Sequence, residues 1–306
     1  MYLSVGGTPV IPPLPVWRSM LFVPAHVDRF VATAHTRGAD AYILDLEDSV
    51  PLAHKEEARK KISGGAKLVS QRGAGALVRI NSEAELAAAD IDATLDVTIS
   101  AIIVPKVVTQ DSVRTIASCL AELERKRDIP DGHTRLIAQI EDVRALPRLD
   151  EIATSSPRLL GLSLGSEDFS ASVGMDPIPE ALLWPNQQVL FACARANVLA
   201  FGFPASIADY SDLVAFRRHI QLARKLGFVG AFCIHPSQVS VLNEEFTPST
   251  AEVAQARELI AAYEDAQAQG RSAVEYRGRM VDPPVVARAR MVLLRAQRQV
   301  SVPPEA

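Results

Sequence analysis

Ala41-Tyr42-Ile43-Leu44-Asp45-Leu46-Glu47-Asp48 gives the clearest indication of the chain's architecture. Its first four residues are apolar or β-forming, and such a continuous run predicts a strand buried on both faces, as in a parallel sheet. Three carboxylates follow within four positions. Because α/β folds place their chemistry at the carboxyl ends of parallel strands, these acids are candidates for a functional site. The alternative is an exposed acidic turn that opens the next helix, with Asp48 or Ser49 as its N-cap.

The same unit, an apolar strand followed by a helix, recurs along the chain. The predicted strands span residues 19–24, 41–48, 76–81, 101–107, 135–142, 159–168, 198–205 and 229–235. Eight such units in about 240 residues predict an α/β fold of the (β/α)8 TIM barrel type. A doubly wound open sheet is the alternative. It is less favoured because no glycine-rich phosphate fingerprint follows the first strand.

Three segments follow from this pattern. Residues 1–16 contain proline-rich pieces and are predicted to form an extended arm, and residues 17–246 are predicted to form the barrel. Residues 247–306 form a C-terminal helical extension, with a long helix at 250–269, a hairpin at 273–280 and a basic helix at 284–300. We expect this extension to act as a lid or an oligomer contact.

The composition excludes several classes of partner. The 306 residues carry a net charge of −4, which argues against nucleic acid or an anionic membrane surface, although a local basic patch could still bind a phosphate group. No apolar run is long enough to span a bilayer, and the first 15 residues do not read as a signal peptide. Cys119, Cys193 and Cys233 are far apart and show no metal or disulfide spacing. We therefore expect a cytoplasmic protein.

Charged residues follow most of the predicted strands, and in a barrel all carboxyl ends of strands meet at one face. The residues assigned to that face are Arg18, Asp45, Glu47, Asp48, Arg79, Asn81, Lys106, Glu141, Glu167, Asp168, His235 and Gln238. So many neighbouring carboxylates would raise one another's pKa, and a divalent cation would relieve the repulsion. An all-oxygen set of ligands indicates Mg²⁺ or Mn²⁺ rather than Zn²⁺.

Individual residues have simpler alternatives. Arg79 could be a structural ion-pair partner, but a guanidinium is also suited to holding a substrate carboxylate in bidentate fashion. Lys106 could be a Schiff-base nucleophile, and an ion pair is favoured because so many acids lie nearby. His235 is interpreted as structural and Cys233 as part of the core.

Several of these residues belong to motifs that occur in a fixed order. They are Arg18-Ser19-x-Leu21-Phe22-Val23-Pro24, Asp45-Leu46-Glu47-Asp48-Ser49-Val50, Val78-Arg79-Ile80-Asn81, Pro105-Lys106, Gly165-x-Glu167-Asp168, Leu226-Gly227-Phe228-x-Gly230 and Ile234-His235-Pro236-x-Gln238. Together they resemble the citrate lyase β-subunit-like branch of the HpcH/HpaI aldolase superfamily, which also contains malyl-CoA and citramalyl-CoA lyases. The resemblance extends over residues 17–295.

The resemblance implies a Mg²⁺ ion held by Glu141 and Asp168, with Mn²⁺ as a possible substitute. It places the acidic triplet of the opening stretch around that ion, where the carboxylates of Asp45, Glu47 and Asp48 would orient metal-bound waters and the cations Arg18 or Lys106.

The resemblance also assigns roles toward the substrate. Arg79 matches the arginine that stabilises the enolate oxygen of the thioester. Substrate binding is assigned to Arg18, Arg79, Gly165 and Ser166, and catalysis to Arg79, Glu47, Asp48, Lys106 and Asp282.

A further implied role lies in the C-terminal extension. The segment at 278–284 is similar to a lid motif in which an aspartate, here Asp282, reaches a neighbouring subunit's site as acid or base. From the residues alone, Asp282 would be a helix N-cap. The resemblance therefore implies a homo-oligomer, and a homotrimer fits the family.

The predicted activity is Mg²⁺-dependent cleavage of a carbon–carbon bond in a 3-hydroxy-dicarboxylyl thioester, of malyl-CoA, citramalyl-CoA or citryl type, to a 2-keto acid and an acyl thioester. The alternatives are a thioester hydrolase on the same scaffold, a non-catalytic binding subunit and a Schiff-base aldolase using Lys106. Two segments depart from the family pattern, Trp184-Pro185-Asn186 and Phe201-Gly202-Phe203-Pro204. Both are expected where the acyl carrier or substrate passes.

Overall fold

The computed structural model describes residues 17–300, and the side chains of residues 17–297. These residues divide into two compact units, one ending at Phe246 and the other beginning at Thr247. The predicted N-terminal arm of residues 1–16 lies outside the described residues.

The first unit is a barrel of eight parallel strands: β1 (Ser19–Pro24), β2 (Ala41–Asp45), β3 (Gly75–Arg79), β4 (Ile99–Val104), β5 (Arg135–Ile140), β6 (Leu159–Leu164), β7 (Leu199–Phe201) and β8 (Ala231–Cys233). From β1 to β7 each strand pairs with the next in sequence, and β1 also pairs with β8. A parallel bridge between Phe201 and Gly230 connects the end of β7 to the residue before β8. The predicted (β/α)8 barrel is therefore confirmed, and an open doubly wound sheet is excluded.

Helices follow the strands and cover the outside of the barrel: α1 (Asp28–Ala34), α2 (Lys55–Val69), α3 (Ala84–Thr94), α4 (Gln110–Lys126), α5 (Leu149–Ala153), α6 (Ser166–Val173), α7 (Pro179–Ala196), α8 (Leu213–Leu226) and α9 (Pro236–Phe246). Helix α6 was not predicted. The strand predicted at 159–168 ends at Leu164, so Glu167 and Asp168 lie in the first turn of a helix. Carboxylates are favoured there because they face the positive end of the helix dipole.

Strand β2 is buried at all five positions because its two faces contact different cores. Ile43 points into the barrel, where it joins a cluster that includes Met20 and Leu77. Tyr42 and Leu44 point outward into the larger cluster between strands and helices. This double burial explains why the opening stretch is continuously apolar rather than alternating.

The loop after β2 is held by hydrogen bonds to the Asp45 side chain, and none of its side chains caps a helix. The Asp45 carboxylate accepts the N–H groups of Glu47 at 3.1 Å and Ser49 at 3.2 Å. Helix α2 begins at Lys55, after a short 3-10 turn at Leu52–His54. The alternative in which Asp48 or Ser49 is the N-cap is therefore wrong.

The second unit contains α10 (Thr250–Ala268), the hairpin of β9 (Val274–Tyr276) and β10 (Arg279–Val281), and α11 (Pro283–Val300). Ser249 and Glu252 form a capping box at the start of α10. Arg277 and Gly278 connect the two strands with φ of 49° and 75°, as a two-residue hairpin turn requires. Within residues 17–300, no helix is long and apolar enough to cross a membrane.

Candidate active site

A cavity of about 440 Å³ opens at the carboxyl ends of the barrel strands. Its lining comes from β1, β2, β3, β5, β6, β7, β8 and the residues that follow them: Phe22, Pro24, Asp45, Asp48, Ser49, Arg79, Gln139, Glu141, Ser163, Leu164, Gly165, Ser166, Glu167, Asp168, Gly202, Phe203, Ala205, Ile207, Phe232 and Ile234. The barrel thus brings together side chains from positions more than 200 residues apart in sequence.

Glu141 directly follows β5 and is only 5% exposed. Among the acids that line the cavity, only Asp45 is more buried. Its Oε2 accepts the backbone N–H of Lys106 at 2.7 Å. A Cβ at Gly165 would lie 2.6 Å from Glu141 Oε1, so only glycine leaves room for this carboxylate. Burial, together with the negative charges of Glu47 and Asp168, raises the pKa of Glu141 to about 7.

Asp168 lines the same cavity from the first turn of α6, and its side chain is 46% exposed. Within residues 17–300, no three or more His, Cys, Asp or Glu side chains form a complete metal cage. A pair of carboxylates nevertheless fits Mg²⁺, which keeps several waters and binds proteins through one or two carboxylates. It does not fit a structural Zn²⁺ site, which needs four protein ligands.

Arg79 is fixed at the end of β3 by the acids at and just after the end of β2. Its Nε and Nη2 donate to the two oxygens of Asp45, each at 2.7 Å, and its Nη1 lies 3.1 Å from Glu47 Oε2. The guanidinium also lies over the Phe22 ring, 4.6 Å from its centroid. Burial disfavours this charge, but the hydrogen bonds and charge of Asp45 outweigh it and raise the pKa of Arg79.

The three acids of the opening stretch occupy different environments. Asp45 is buried, and its pKa stays below the ordinary value because the interaction with Arg79 outweighs burial. Glu47 is also buried, and burial raises its pKa. Asp48 is half-exposed and lines the cavity. The first two acids therefore position cations, and the third faces the space where a substrate would bind.

Lys106 forms the predicted ion pairs. Its Nζ lies 3.0 Å from Glu47 Oε1, 3.6 Å from Asp48 Oδ1 and 4.0 Å from Asp168 Oδ2. Burial alone would lower the pKa of Lys106, but the interaction with Glu47 dominates and raises it. An ammonium held in this way is protonated at neutral pH, which disfavours the Schiff-base alternative.

Arg18 does not lie at the cavity. It precedes β1 rather than following it, and its side chain and backbone N–H donate to the Asp40 carboxylate at 2.7 to 2.8 Å. Asp40 precedes β2, so the pair lies at the amino ends of the strands, at the opposite end of the barrel. The prediction that Arg18 joins the strand ends of the site, where it would bind substrate or face the metal, is wrong.

Gly165 and Ser166 line the cavity, where the sequence placed them. The Ser166 hydroxyl donates to Glu167 Oε1 at 3.1 Å and accepts the N–H of Ile207 at 3.2 Å. Ser206 donates to the same Glu167 oxygen at 2.6 Å. These bonds connect the start of α6 to the loop after β7.

Two other predicted strand-end residues are structural. Gln238 is buried, and its Oε1 accepts the N–H groups of Ile234 and His235. The His235 side chain contacts the Ser237 hydroxyl at 2.7 Å and stacks on Tyr210. The interpretation of His235 as a structural residue agrees with these contacts.

Lys55 is a site residue that the sequence analysis missed. Its Nζ donates to the backbone oxygens of Leu46 at 2.8 Å and Glu47 at 3.0 Å, and to Asn81 Oδ1. Asn81 in turn donates to the buried Asp90. The signal was a lysine at the first position of a helix, where the dipole disfavours a positive charge unless a partner holds it.

Residues 18–236 match the HpcH/HpaI aldolase/citrate lyase family. This chain belongs to that family. Its members include aldolases and lyases, so the family confirms both the predicted resemblance and the prediction of a carbon–carbon lyase.

Relatives of this family member align over nearly its whole length. The citrate lyase subunit beta of Leuconostoc mesenteroides subsp. cremoris is 33% identical over 90% of this chain and 92% of its own length. The L-malyl-CoA/beta-methylmalyl-CoA lyase of Cereibacter sphaeroides is 31% identical over 94% of this chain and 96% of its own length. The protein CitE of Mycobacterium tuberculosis, solved with magnesium, acetoacetate and coenzyme A, is 27% identical and superposes with a TM-score of 0.73 over 91% of this chain and 97% of its own.

The two segments where this HpcH/HpaI family member departs from the family pattern are placed differently. Gly202 and Phe203 line the cavity, at the position expected for a segment that the substrate passes. Trp184 is exposed on α7, and Asn186, two residues further and on the opposite side of the same helix, is buried. The segment at 201–204 therefore lines the site, and Asn186 lies behind it, with its Oδ1 3.5 Å from where a Cβ on Gly202 would be.

Asp282 lies in the second unit, immediately before α11. Its Oδ1 accepts the N–H of Val285 at 3.3 Å, which is the N-cap geometry predicted from the residues alone. Its role in a neighbouring subunit's site remains a prediction.

Proposed function

We propose that this protein is a Mg²⁺-dependent lyase that cleaves a 3-hydroxy-dicarboxylyl thioester into a 2-keto acid and an acyl thioester. The observation that carries the proposal is the pairing of buried Glu141 with half-exposed Asp168 in one cavity beside Arg79. Glu141 and Asp168 would hold the cation, which Mn²⁺ could replace.

The charge balance of the cavity supports a bound cation. Six carboxylates line it or contact its lining: Asp45, Glu47, Asp48, Glu141, Glu167 and Asp168. Among the described residues, Arg79 and Lys106 are the cations paired with this group, so full ionisation of all six acids would leave a formal excess of four negative charges. A divalent cation would reduce this repulsion and restore the ionised form of Glu141. When bound, Mg²⁺ supplies a Lewis acid for the hydroxyl and carboxylate oxygens of the substrate.

The side chains of the chain supply the remaining chemistry. As the carbon–carbon bond breaks, its electron pair moves to the thioester carbonyl, which becomes an enolate. Arg79, held by Asp45, places a fixed positive charge in the cavity for this oxygen. Asp48, a half-exposed carboxylate of the cavity, would accept the proton of the substrate hydroxyl group. Asp282 of a neighbouring subunit would protonate the enolate carbon and release the acyl thioester.

The relatives support this substrate class. Two of them are named as lyases of citrate and of malyl-CoA, and the CitE structure holds magnesium together with coenzyme A. We therefore propose a coenzyme A thioester as substrate, and a homo-oligomer as the assembly that lets Asp282 act between subunits.

The direct test incubates purified protein with malyl-, citramalyl- and citryl-CoA, with Mg²⁺ or with EDTA, and identifies the products by mass. The proposal predicts equal amounts of a 2-keto acid and an acyl-CoA from at least one thioester, and no products with EDTA. Free coenzyme A with an intact hydroxy acid would instead show a thioester hydrolase. A chain that binds these thioesters and cleaves none would be a binding subunit.

A further inference from the structure

Below the carboxylates, the cavity contains a group of neutral polar side chains that the reaction described above does not use. Gln139 lies two residues before Glu141 on β5 and is only 4% exposed, yet its Oε1 has no hydrogen-bond partner. Ser163 on β6 is aligned with Gln139 across the sheet, and both residues line the cavity. A buried amide oxygen without a hydrogen-bond partner destabilises the folded protein unless a ligand or a water donates to it.

A second unpartnered oxygen faces the same region. Asn186 is 1% exposed, and its Nδ2 donates to Leu182 O at 2.9 Å, which fixes the amide so that Oδ1 is the free end. A Cβ at Gly202 would lie 3.5 Å from Asn186 Oδ1 and 3.8 Å from Ser163 Oγ. Gly202 has φ +134° and lines the cavity, so Asn186 Oδ1 lies directly behind a position of the cavity wall that carries no side chain, although Asn186 itself is not a lining residue.

The chemistry of these atoms defines what can bind. The two unpartnered atoms are carbonyl oxygens, which only accept hydrogen bonds, and the Ser163 hydroxyl can donate or accept. A substrate carboxylate only accepts hydrogen bonds, so it would leave both amide oxygens without a donor. A hydroxyl group can donate to one of the amide oxygens. The remaining walls are apolar, formed by the rings of Phe22, Phe203 and Phe232.

We propose that Gln139, Ser163 and Asn186 form a hydroxyl-selective subsite for the substituent on the keto-acid half of the substrate. The inference rests on the proposed lyase function, which defines that half. It assigns this protein a thioester whose cleavage yields a hydroxylated 2-keto acid, and it disfavours citryl thioesters, whose corresponding substituent is a carboxymethyl group.

The test measures binding rather than turnover. Calorimetric titration in the presence of Mg²⁺ compares pyruvate, 3-hydroxypyruvate and oxaloacetate, which carry hydrogen, hydroxyl and carboxylate on the same carbon. We expect hydroxypyruvate to bind about tenfold more tightly than pyruvate, the value of one well-placed hydrogen bond that leaves no buried acceptor unpaired, and oxaloacetate to bind most weakly.

Two substitutions assign the preference to the subsite. Gln139→Met preserves side-chain volume and Ser163→Ala removes one hydroxyl; each should bring the hydroxypyruvate-to-pyruvate ratio close to one. Ser170→Ala is the matched control, because Ser170 also has a buried, unpartnered hydroxyl but does not line the cavity. It should leave the ratio unchanged.

The inference is overturned if the wild-type protein binds pyruvate as tightly as hydroxypyruvate, if it binds neither, or if both variants retain the preference. These outcomes are separate from those of the lyase assay. Cleavage of malyl-CoA without any hydroxyl preference would retain the proposed function and remove the subsite. A hydroxyl preference without cleavage of any thioester would retain the subsite and remove the proposed function.

Discussion

At the scale of single residues, Glu141 combines burial with negative neighbours in the cavity. Its carboxylate accepts one backbone hydrogen bond from Lys106 and abuts Gly165, where no side chain would fit. The sequence could predict that Glu141 and Asp168 lie together, because both follow barrel strands. It could not predict that one is buried and the other half-exposed, since burial depends on how neighbouring loops cover each strand end. The prediction placed Arg18 at the wrong end of the barrel. Arg18 precedes β1, so it lies at the amino end of that strand, whereas the site lies at the carboxyl ends.

The first prediction separates the proposed metal ligand from its neighbours. Glu141→Gln removes a ligand charge and should weaken Mg²⁺ binding by at least about 100-fold, whereas Glu47→Gln acts through Arg79 and Lys106 and should weaken it by about tenfold. Calorimetric Mg²⁺ titration of both variants measures the difference. Equal losses would place Glu47 among the ligands.

The second prediction follows from the pKa of Glu141, raised from 4.5 to about 7. The protonated form is favoured in the metal-free fold, so its stabilising contribution is complete below pH 4.5 and is lost as pH rises through 7. Mg²⁺ requires the carboxylate, so its affinity should fall about tenfold per pH unit below 7 and level off above it. Titrations at pH 5.5, 6.5 and 7.5 test this. An affinity that does not change between pH 5.5 and 7.5 would contradict it.

At the scale of elements, the ends of β2 and β3 are connected to helix α2 by Lys55. This side chain donates to two backbone oxygens of the acidic loop and to Asn81, so it holds the loop that positions Glu47 against Arg79. Strand positions could be predicted from apolar runs because both faces of each strand are buried. Helix α6 and the role of Lys55 could not, because each depends on contacts made after the strands have converged.

The third prediction concerns this connection. Lys55→Met leaves two carbonyl oxygens and Asn81 without their donor and should lower kcat/KM by about 10- to 100-fold through loss of positioning. Lys60→Met is the matched control, since Lys60 lies on the same helix, is exposed and pairs with the exposed Glu56. Steady-state kinetics with thermal melting of both variants measures the effect. Indistinguishable kinetics would show that Lys55 has no role in the site.

At the scale of the whole molecule, the barrel explains how short motifs far apart in sequence form one cavity. Parallel strands in sequential order place every strand end at one face, and this geometry followed from counting eight strand–helix units. The barrel geometry does not explain the proposed role of Asp282. This residue lies in the second unit, and the site it is proposed to complete belongs to another subunit.

The fourth prediction tests this arrangement by mixing two inactive variants. Each site would use Glu141 of one subunit and Asp282 of another, so Glu141→Gln and Asp282→Asn should each abolish cleavage. Refolding them together at equal amounts should restore roughly a quarter of wild-type activity, the fraction of sites that receive both intact residues in a random homo-oligomer. Activity that stays absent in the mixture would show that Asp282 acts within its own chain, and an active Asp282→Asn variant would show that it has no role in the reaction.

The proposed function depends above all on Glu141 and Asp168 holding a divalent cation in the cavity beside Arg79. Anomalous diffraction from crystals grown with Mn²⁺ and a 2-keto acid tests it most directly, because manganese is located without reference to activity. We expect one strong peak at about 2.0 to 2.3 Å from carboxylate oxygens of both Glu141 and Asp168, a distance typical of oxygen ligands to such ions. A peak on Asp45, Glu47 and Asp48 instead, or no peak in the cavity, would contradict it.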